Sequence, residues 1–162
     1  MCWLCEHPGS TQLDYLAHMR RLAEDYGWAV QGVEQDGIRP PWAYTVGLTV
    51  HDRPELVVTG LPAQHAAVLL NQVARYVMDT AIPAPGDTVG VTGEPLMEVV
   101  AVADPAVHLV TCAEIYGDCI RALQLVRADD HGHWPWCPCY QGSADGQPVL
   151  GARALAGCGA GE

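Results

Sequence analysis

Cysteine and histidine gather at the two ends of this chain, at spacings that suit a metal ion. Cys2, Cys5 and His7 stand near the start; Cys137 and Cys139 stand late, with His131 and His133 just before them. Four thiolates in two close pairs are what a tetrahedral zinc ion takes, since Zn²⁺ accepts four N or S ligands with no geometric preference of its own. The expected ligand set is Cys2, Cys5, Cys137 and Cys139, with His7 able to replace one cysteine. Such a site would clip the N-terminal arm to a late loop. Thiolates also hold iron–sulfur clusters, and Cys137-Pro138 matches the Cys-Pro pair through which some proteins bind haem, so iron stands beside zinc as an alternative. A redox role for Cys2-x-x-Cys5 fits less well, because no strand precedes the pair to set it at a helix N-terminus. The plainer account is that a free cysteine is a small apolar side chain that fills core. That account suits Cys112, which extends an apolar stripe with Leu109 and Tyr116. His108 and Cys112, with Cys119 just beyond, are a weaker candidate for a second site, and the sequence assigns no definite role to Cys119 or Cys158.

A second set of polar residues falls inside apolar stretches. Tyr44-Thr45-Val46-Gly47-Leu48 puts two hydroxyls beside a glycine in an expected core strand, and a strand glycine often marks a bulge or a close approach. Glu55 opens the next strand and Gln124 sits in the middle of a later one. Tyr44, Glu55 and Gln124 are candidate lining for a polar pocket, with Arg39 near its rim and His108 as a further acid or base. Each alone is more simply a buried group hydrogen-bonded for structural reasons. Asp129-Asp130-His131-Gly132-His133 has metal-ligating residue types, but turns attract Asp and Gly for backbone reasons, so a solvated hairpin tip is expected there. The chain contains no G-x-S-x-G, H-E-x-x-H or G-x-G-x-x-G motif.

The elements that must position these groups follow from spacing. A helix is expected from Thr11 to Tyr26, with Thr11 and Asp14 forming a capping box and Gly27 ending it. Strands are expected over Trp28 to Glu34, Ala43 to Thr49 and Glu55 to Thr59. Gly60-Leu61-Pro62 then opens a second helix with Pro62 in its first turn, and Ala66, Leu69, Leu70, Val73 and Val77 form its apolar face. Thr88 to Thr92 and Leu96 to Ala103 are expected to form a hairpin. Asp104-Pro105 starts a third helix that runs to Tyr116, with Asp104 as N-cap and His108 and Cys112 on one face. A last strand covers Ile120 to Ala128. Helices and strands mix without a strict βαβ rhythm, which predicts an α+β fold: a largely antiparallel or mixed sheet with about three helices packed on it. Residues 1–150 form one domain with a cysteine-bearing N-terminal arm, and 151–162 form a loose Gly/Ala-rich tail.

Bulk properties exclude several functions. The chain has 162 residues, enough for one domain with a real core. Its formal net charge is −11, and its basic residues are eight scattered arginines with no lysine. That field repels phosphate backbones, so nucleic acid is not an expected partner. Lysine Schiff-base chemistry and a P-loop lysine are excluded. No apolar run reaches the length of a membrane span, and the first residues do not form a signal peptide. Seven cysteines without an export signal point to a reducing, cytoplasmic setting.

The motifs Cys2-Trp3-Leu4-Cys5, Gly27-Trp28-Ala29-Val30, Tyr44-Thr45-Val46-Gly47-Leu48, Pro54-Glu55-Leu56, Gln124-Leu125-Val126, Trp134-Pro135-Trp136 and Gly146-Gln147-Pro148-Val149 occur in order along nearly the whole chain. In this the chain resembles the domain of unknown function 4262 family in its actinobacterial form. The resemblance implies a small domain with the Tyr-Thr-Val-Gly-Leu and Pro-Glu-Leu strands at its centre, and it brings no activity with it. After Trp136 the chain departs from the family pattern, carrying Cys137-Pro138-Cys139-Tyr140 in place of an acidic residue and a Gly-aromatic pair. The functional expectation is a small zinc-binding domain acting as a binding or accessory module. The alternatives are a metal- or thiolate-dependent enzyme with a pocket near Tyr44 and Glu55, and an acidic adaptor or immunity-type protein that binds a partner without metal.

Overall fold

Thr11 opens the first long helix as its spacing predicts. Its hydroxyl accepts the Asp14 N–H at 3.2 Å, and the Asp14 carboxylate accepts the Thr11 N–H at 2.7 Å. This reciprocal pair satisfies two of the donors that a helix start leaves open. The computed structural model describes residues 3–142 and 146–154. In chain order its elements are α1 (Trp3–Glu6), α2 (Gln12–Tyr26), β1 (Ala29–Val33), β2 (Trp42–Val46), a 3₁₀ turn (Leu48–His51), β3 (Glu55–Thr59), α3 (Ala63–Asp79), β4 (Thr88–Val89), β5 (Met97–Ala101), α4 (Pro105–His108), α5 (Val110–Tyr116) and β6 (Ala122–Arg127).

The strands form one mixed sheet in the order β1-β2-β3-β6-β5-β4. Neighbours run antiparallel except at the centre, where β3 and β6 are parallel with Val57 opposite Gln124. Side-chain alternation divides the core between the two faces. On one face, Ala43, Leu56, Val58, Val99, Leu123 and Leu125 pack under the apolar stripe of α3. On the other, Tyr44, Val46, Val57 and Ala122 pack with Met19 of α2 and with Leu109 and Cys112 beside and on α5. The result is the expected α+β architecture, a single domain with helices on both faces of a mixed sheet.

Four local expectations are corrected. The strand expected over Ala43 to Thr49 stops at Val46, because Gly47 takes φ 123° and the chain turns into the 3₁₀ segment. A side chain is not accommodated there, since a Cβ on Gly47 would lie 2.8 Å from that of Ala23. The single helix expected from Asp104 to Tyr116 is two short ones, broken at Leu109 with φ −105° and ψ 63°. The backbone groups at the break find other partners: the Trp42 indole donates to the His108 carbonyl at 3.1 Å, and the Thr111 N–H donates to the Tyr44 hydroxyl at 3.2 Å. His108 and Cys112 therefore lie on different helices rather than on one face. Asp104 adopts left-handed φ 49° and makes no side-chain cap, although Pro105 opens α4 as expected. Pro62 stands one residue before α3, as its N-cap, instead of in its first turn.

Candidate functional site

The most enclosed polar group is Glu55, the first residue of β3 and fully buried. Its Oε1 accepts the N–H groups of Gly47 and Thr49, each at 3.0 Å, and the Thr49 hydroxyl at 2.7 Å. Its Oε2 accepts the Thr45 hydroxyl at 2.6 Å. Thr45 is a relay, because its oxygen also accepts the Leu56 N–H at 2.9 Å. The Cys112 thiol donates to the Thr45 carbonyl at 3.2 Å. Burial pushes the Glu55 carboxyl above the usual carboxylate range, and its four donors pull against that shift without cancelling it. Burial also holds the Cys112 thiol far above the normal thiol range, with the nearby Glu55 charge adding to the effect. Tyr44, buried beside them, is pushed up to about 12 by the same loss of solvent.

Gln124 does a different job. Its Nε2 donates to the Thr59 hydroxyl at 3.2 Å and to the Pro148 carbonyl at 2.7 Å, while its Oε1 accepts the Leu150 N–H at 2.7 Å. Gln147 returns the pattern, accepting the Arg127 N–H at 2.8 Å and donating to the Arg127 carbonyl at 3.0 Å. Two side-chain amides thus take the place of a backbone ladder and lay the 146–151 segment across the sheet. Gly60, at φ 76°, permits this: a Cβ there would lie 2.0 Å from the Gly146 carbonyl oxygen. The segment continues to Arg153, inside the stretch expected to be loose. Arg153 makes two hydrogen bonds to Glu98, at 3.1 and 3.0 Å, and lies 4.0 Å above the Trp136 ring. Trp136 is in turn stacked on Trp134 with ring centroids 5.7 Å apart.

The shared polar pocket expected from Tyr44, Glu55 and Gln124 is therefore not formed. Each of the three spends its polar atoms on backbone or hydroxyl partners. Arg39 is exposed in the Asp36–Arg39 turn, and His108 is half-buried with its carbonyl bonded to Trp42. Among the described residues, none of these five lines either of two open clefts. One cleft, of about 750 Å³, lies between α3 and the β4 edge. The other, of about 600 Å³, is lined largely by Pro54, Pro83, Pro85, Pro105 and Ile120.

The thiol candidates are spread out. Cys5 is exposed on α1, whose Trp3 stacks on His7 at 4.2 Å and on His18 at 5.1 Å. One ring nitrogen of His7 pairs with the Trp3 carbonyl at 2.8 Å. Cys137 is half-exposed and Cys139 exposed, in turns closed by Cys137 N–H to Trp134 and Tyr140 N–H to Cys137. Cys119 is exposed. Cys2 and Cys158 lie outside the described residues. Among the described residues, no three His, Cys, Asp or Glu side chains gather closely enough to hold a metal ion.

Three features escaped the sequence reading. Asp129 was expected at a solvated tip, but its side chain is only 8% exposed. It accepts the N–H groups of His131 at 2.9 Å, His133 at 2.8 Å and Gln141 at 2.8 Å. Loss of solvent opposes ionisation there, but these three donors outweigh it and bring the carboxyl down to about 2. The Asp-x-His-x-His spacing was the visible signal for the first two; Gln141 is too distant in sequence to pair by inspection. The second feature is the hydrogen-bond contact between a ring nitrogen of His65, on the first turn of α3, and the carboxylate of Glu94 in the β4–β5 connection. The third is Gln147, whose amide pairs with the Arg127 backbone and acts beside Gln124 in holding the 146–151 segment.

A family model described as "Domain of unknown function (DUF4262)" matches residues 22–141. The chain belongs to the DUF4262 family. No curated protein and no solved structure matches it. The DUF4262 segment begins within α2 and ends at Gln141, the third donor to Asp129. It contains the whole Glu55 knot together with Cys137 and Cys139, and leaves Cys2, Cys5, Gln147 and Arg153 outside.

Two predictions follow from these carboxylates. Glu55→Gln keeps an acceptor for the donors on Oε1 and is expected to cost about 1 kcal/mol, whereas Glu55→Ala strands all four donors and costs about 3 kcal/mol. Because the folded carboxyl pKa is raised, the folded state binds the extra proton; this stability is fully present below pH 4.5 and is lost as pH rises through the folded value. Denaturant unfolding at pH steps from 4 to 8 checks both points, and Gln should remove that slope. For Asp129 the sign is opposite: its contribution is present above pH 3.8 and is lost as pH falls through about 2. Asp129→Ala is expected to speed amide exchange at His131, His133 and Gln141 while leaving the sheet protected. Unchanged exchange at those three amides would refute the role.

Proposed function

We propose that this DUF4262 protein is a cytoplasmic binding or accessory module that performs no chemistry of its own. The observation behind this reading is that the three candidates at the centre of the sheet, Glu55, Tyr44 and Cys112, are spent inside the fold. Glu55 has four donors, Tyr44 is tied to Thr111, and Cys112 is buried with a raised thiol pKa, the reverse of what an activated nucleophile needs. What remains accessible is an open cleft beside a sheet edge, on a protein with net charge −11. Among the described residues no helix is long and apolar enough to cross a membrane. A protein partner suits this surface; nucleic acid does not.

The test is isolation of the untagged protein under native conditions, with mass measurement of whatever complex it forms. A stoichiometric protein complex, retained by Glu55→Gln in proportion to its folded fraction, is the expected result. A small-molecule turnover that Glu55→Gln abolishes at unchanged folded fraction would overturn the reading.

The four-cysteine zinc clip is a second proposal, favoured by the solvent-reaching Cys137 and Cys139 in one tight loop. It predicts about one zinc per chain, by the four-ligand rule for a closed structural site, in protein purified without added metal. Each of Cys2→Ser, Cys5→Ser, Cys137→Ser and Cys139→Ser should lower metal content and thermal stability together. Normal content in all four variants would end it, and iron with visible absorption would replace zinc by a haem or cluster.

A further inference from the structure

The β4 edge and the cleft behind it form a place where an extended polypeptide fits. Among the described residues β4 is the last strand of the sheet and pairs with β5. The Val99 N–H donates to the Asp87 carbonyl at 2.9 Å, and the register places Thr88 opposite Glu98 and Val89 opposite Met97. In an antiparallel pair the main-chain groups alternate between facing the partner strand and facing away. The Asp87 carbonyl faces β5 while its N–H turns back to the Ala84 carbonyl at 2.9 Å; Val89 faces β5 in the same alternation, so the N–H and carbonyl of Thr88 point out from the sheet edge. Behind that edge lies the cleft of about 750 Å³, walled by Gln72, Val73 and Tyr76 of α3 and floored by Ile82. Tyr76 and Ile82 keep 49% and 41% of their surfaces exposed, more than a finished core would leave. An outward strand edge beside a helix-walled groove of mixed polarity, with Val73, Ile82, Val89 and Val91 as its apolar lining, is an arrangement in which a peptide adds a strand and seats alternate side chains.

The charge in the cleft identifies the kind of strand. Of the residues lining it, Asp87 alone is charged. Its Oδ2 accepts the Ala84 N–H at 2.9 Å, and its Oδ1 has no partner among the described residues. A second copy of the chain would bring another Asp87 and another net charge of −11 to the same edge, so self-pairing is opposed. Resting on the binding-module reading above, we infer that β4 and the α3 cleft receive an extended segment of a partner protein. That segment adds as a strand at Thr88, seats β-branched or aliphatic side chains in the groove, and presents Lys or Arg to Asp87. The edge is only two residues long, which limits pairing to a partner whose side chains also match.

The test uses a phage-displayed library of random twelve-residue peptides selected against the full chain, with bound residues mapped by amide chemical shifts. The expected peptides alternate aliphatic or β-branched residues with others, carry Lys or Arg, and shift Gln72, Tyr76 and residues 87–92. Asp87→Asn should weaken them about fivefold, the size of one partly exposed ion pair. Thr88→Pro removes an outward N–H without touching a bond to β5, and should weaken them by a similar factor. If Thr88→Pro fails to fold, Asp87→Arg serves instead and should select acidic peptides. Peptides that bind wild type and all variants equally would overturn this edge as the site while leaving the binding-module reading standing. Recovery of no binding peptide would overturn an extended segment as the partner class. The binding-module reading falls separately, if Glu55-dependent turnover is found.

Discussion

A carboxyl group can be kept dry only if every direction around it offers a proton donor. Glu55 meets that condition with two backbone N–H groups and two threonine hydroxyls, and among the described residues it has no cation beside it. The cost of removing it from water is several kcal/mol unless those donors are held in place. The donors belong to the end of β2, to Gly47 and to the 3₁₀ turn, so the carboxyl fixes how the chain leaves one strand and enters the next. The same knot fixes Thr45, and through the Thr45 carbonyl the Cys112 thiol of α5. One buried carboxyl group thus ties the central sheet to a helix on its face.

The other end of the central strands is organised by amides instead of a charge. Gln124 and Gln147 present donor and acceptor together, so each can pair with a backbone unit as another backbone unit would. This lets an irregular segment that contains Pro148 be laid over the sheet without leaving the Arg127 backbone, the Leu150 N–H or the Pro148 carbonyl unpaired. Arg153 then closes the arrangement over Trp136 and Glu98. Both ends of β3 and β6 are consumed by structure, which moves the accessible surface outward to the sheet edge.

Local signals carried the fold well. The Thr11–Asp14 box, the Glu55–Thr59 strand and the apolar stripe of α3 each depend on residues a few positions apart, and each is where spacing placed it. Departures occur where a distant partner decides. Leu109 breaks a helix because Tyr44 and Trp42 take the backbone groups freed there. Val46 ends a strand because Gly47 and Thr49 serve Glu55. Asp129 read as a turn residue because nothing near it announced Gln141. The candidate residues Tyr44, Glu55 and Gln124 were correctly singled out as buried polar groups, but burial alone does not say whether such a group faces a ligand or a backbone.

The parallel seam between β3 and β6 bears on how the molecule is made. Strands β1 to β3 are consecutive and pair with near neighbours, and so do β4 and β5. β6 enters between these two sets, and α3, β4, β5, α4 and α5 separate Val57 from its partner Gln124 in the chain. In a chain emerging from the ribosome β3 and β5 have no β6 to pair with until that strand is released, and such non-local contacts form late. One of the two central strands is therefore the last of the described strands to arrive, and vectorial synthesis leaves the inner edge of β3 waiting for its partner.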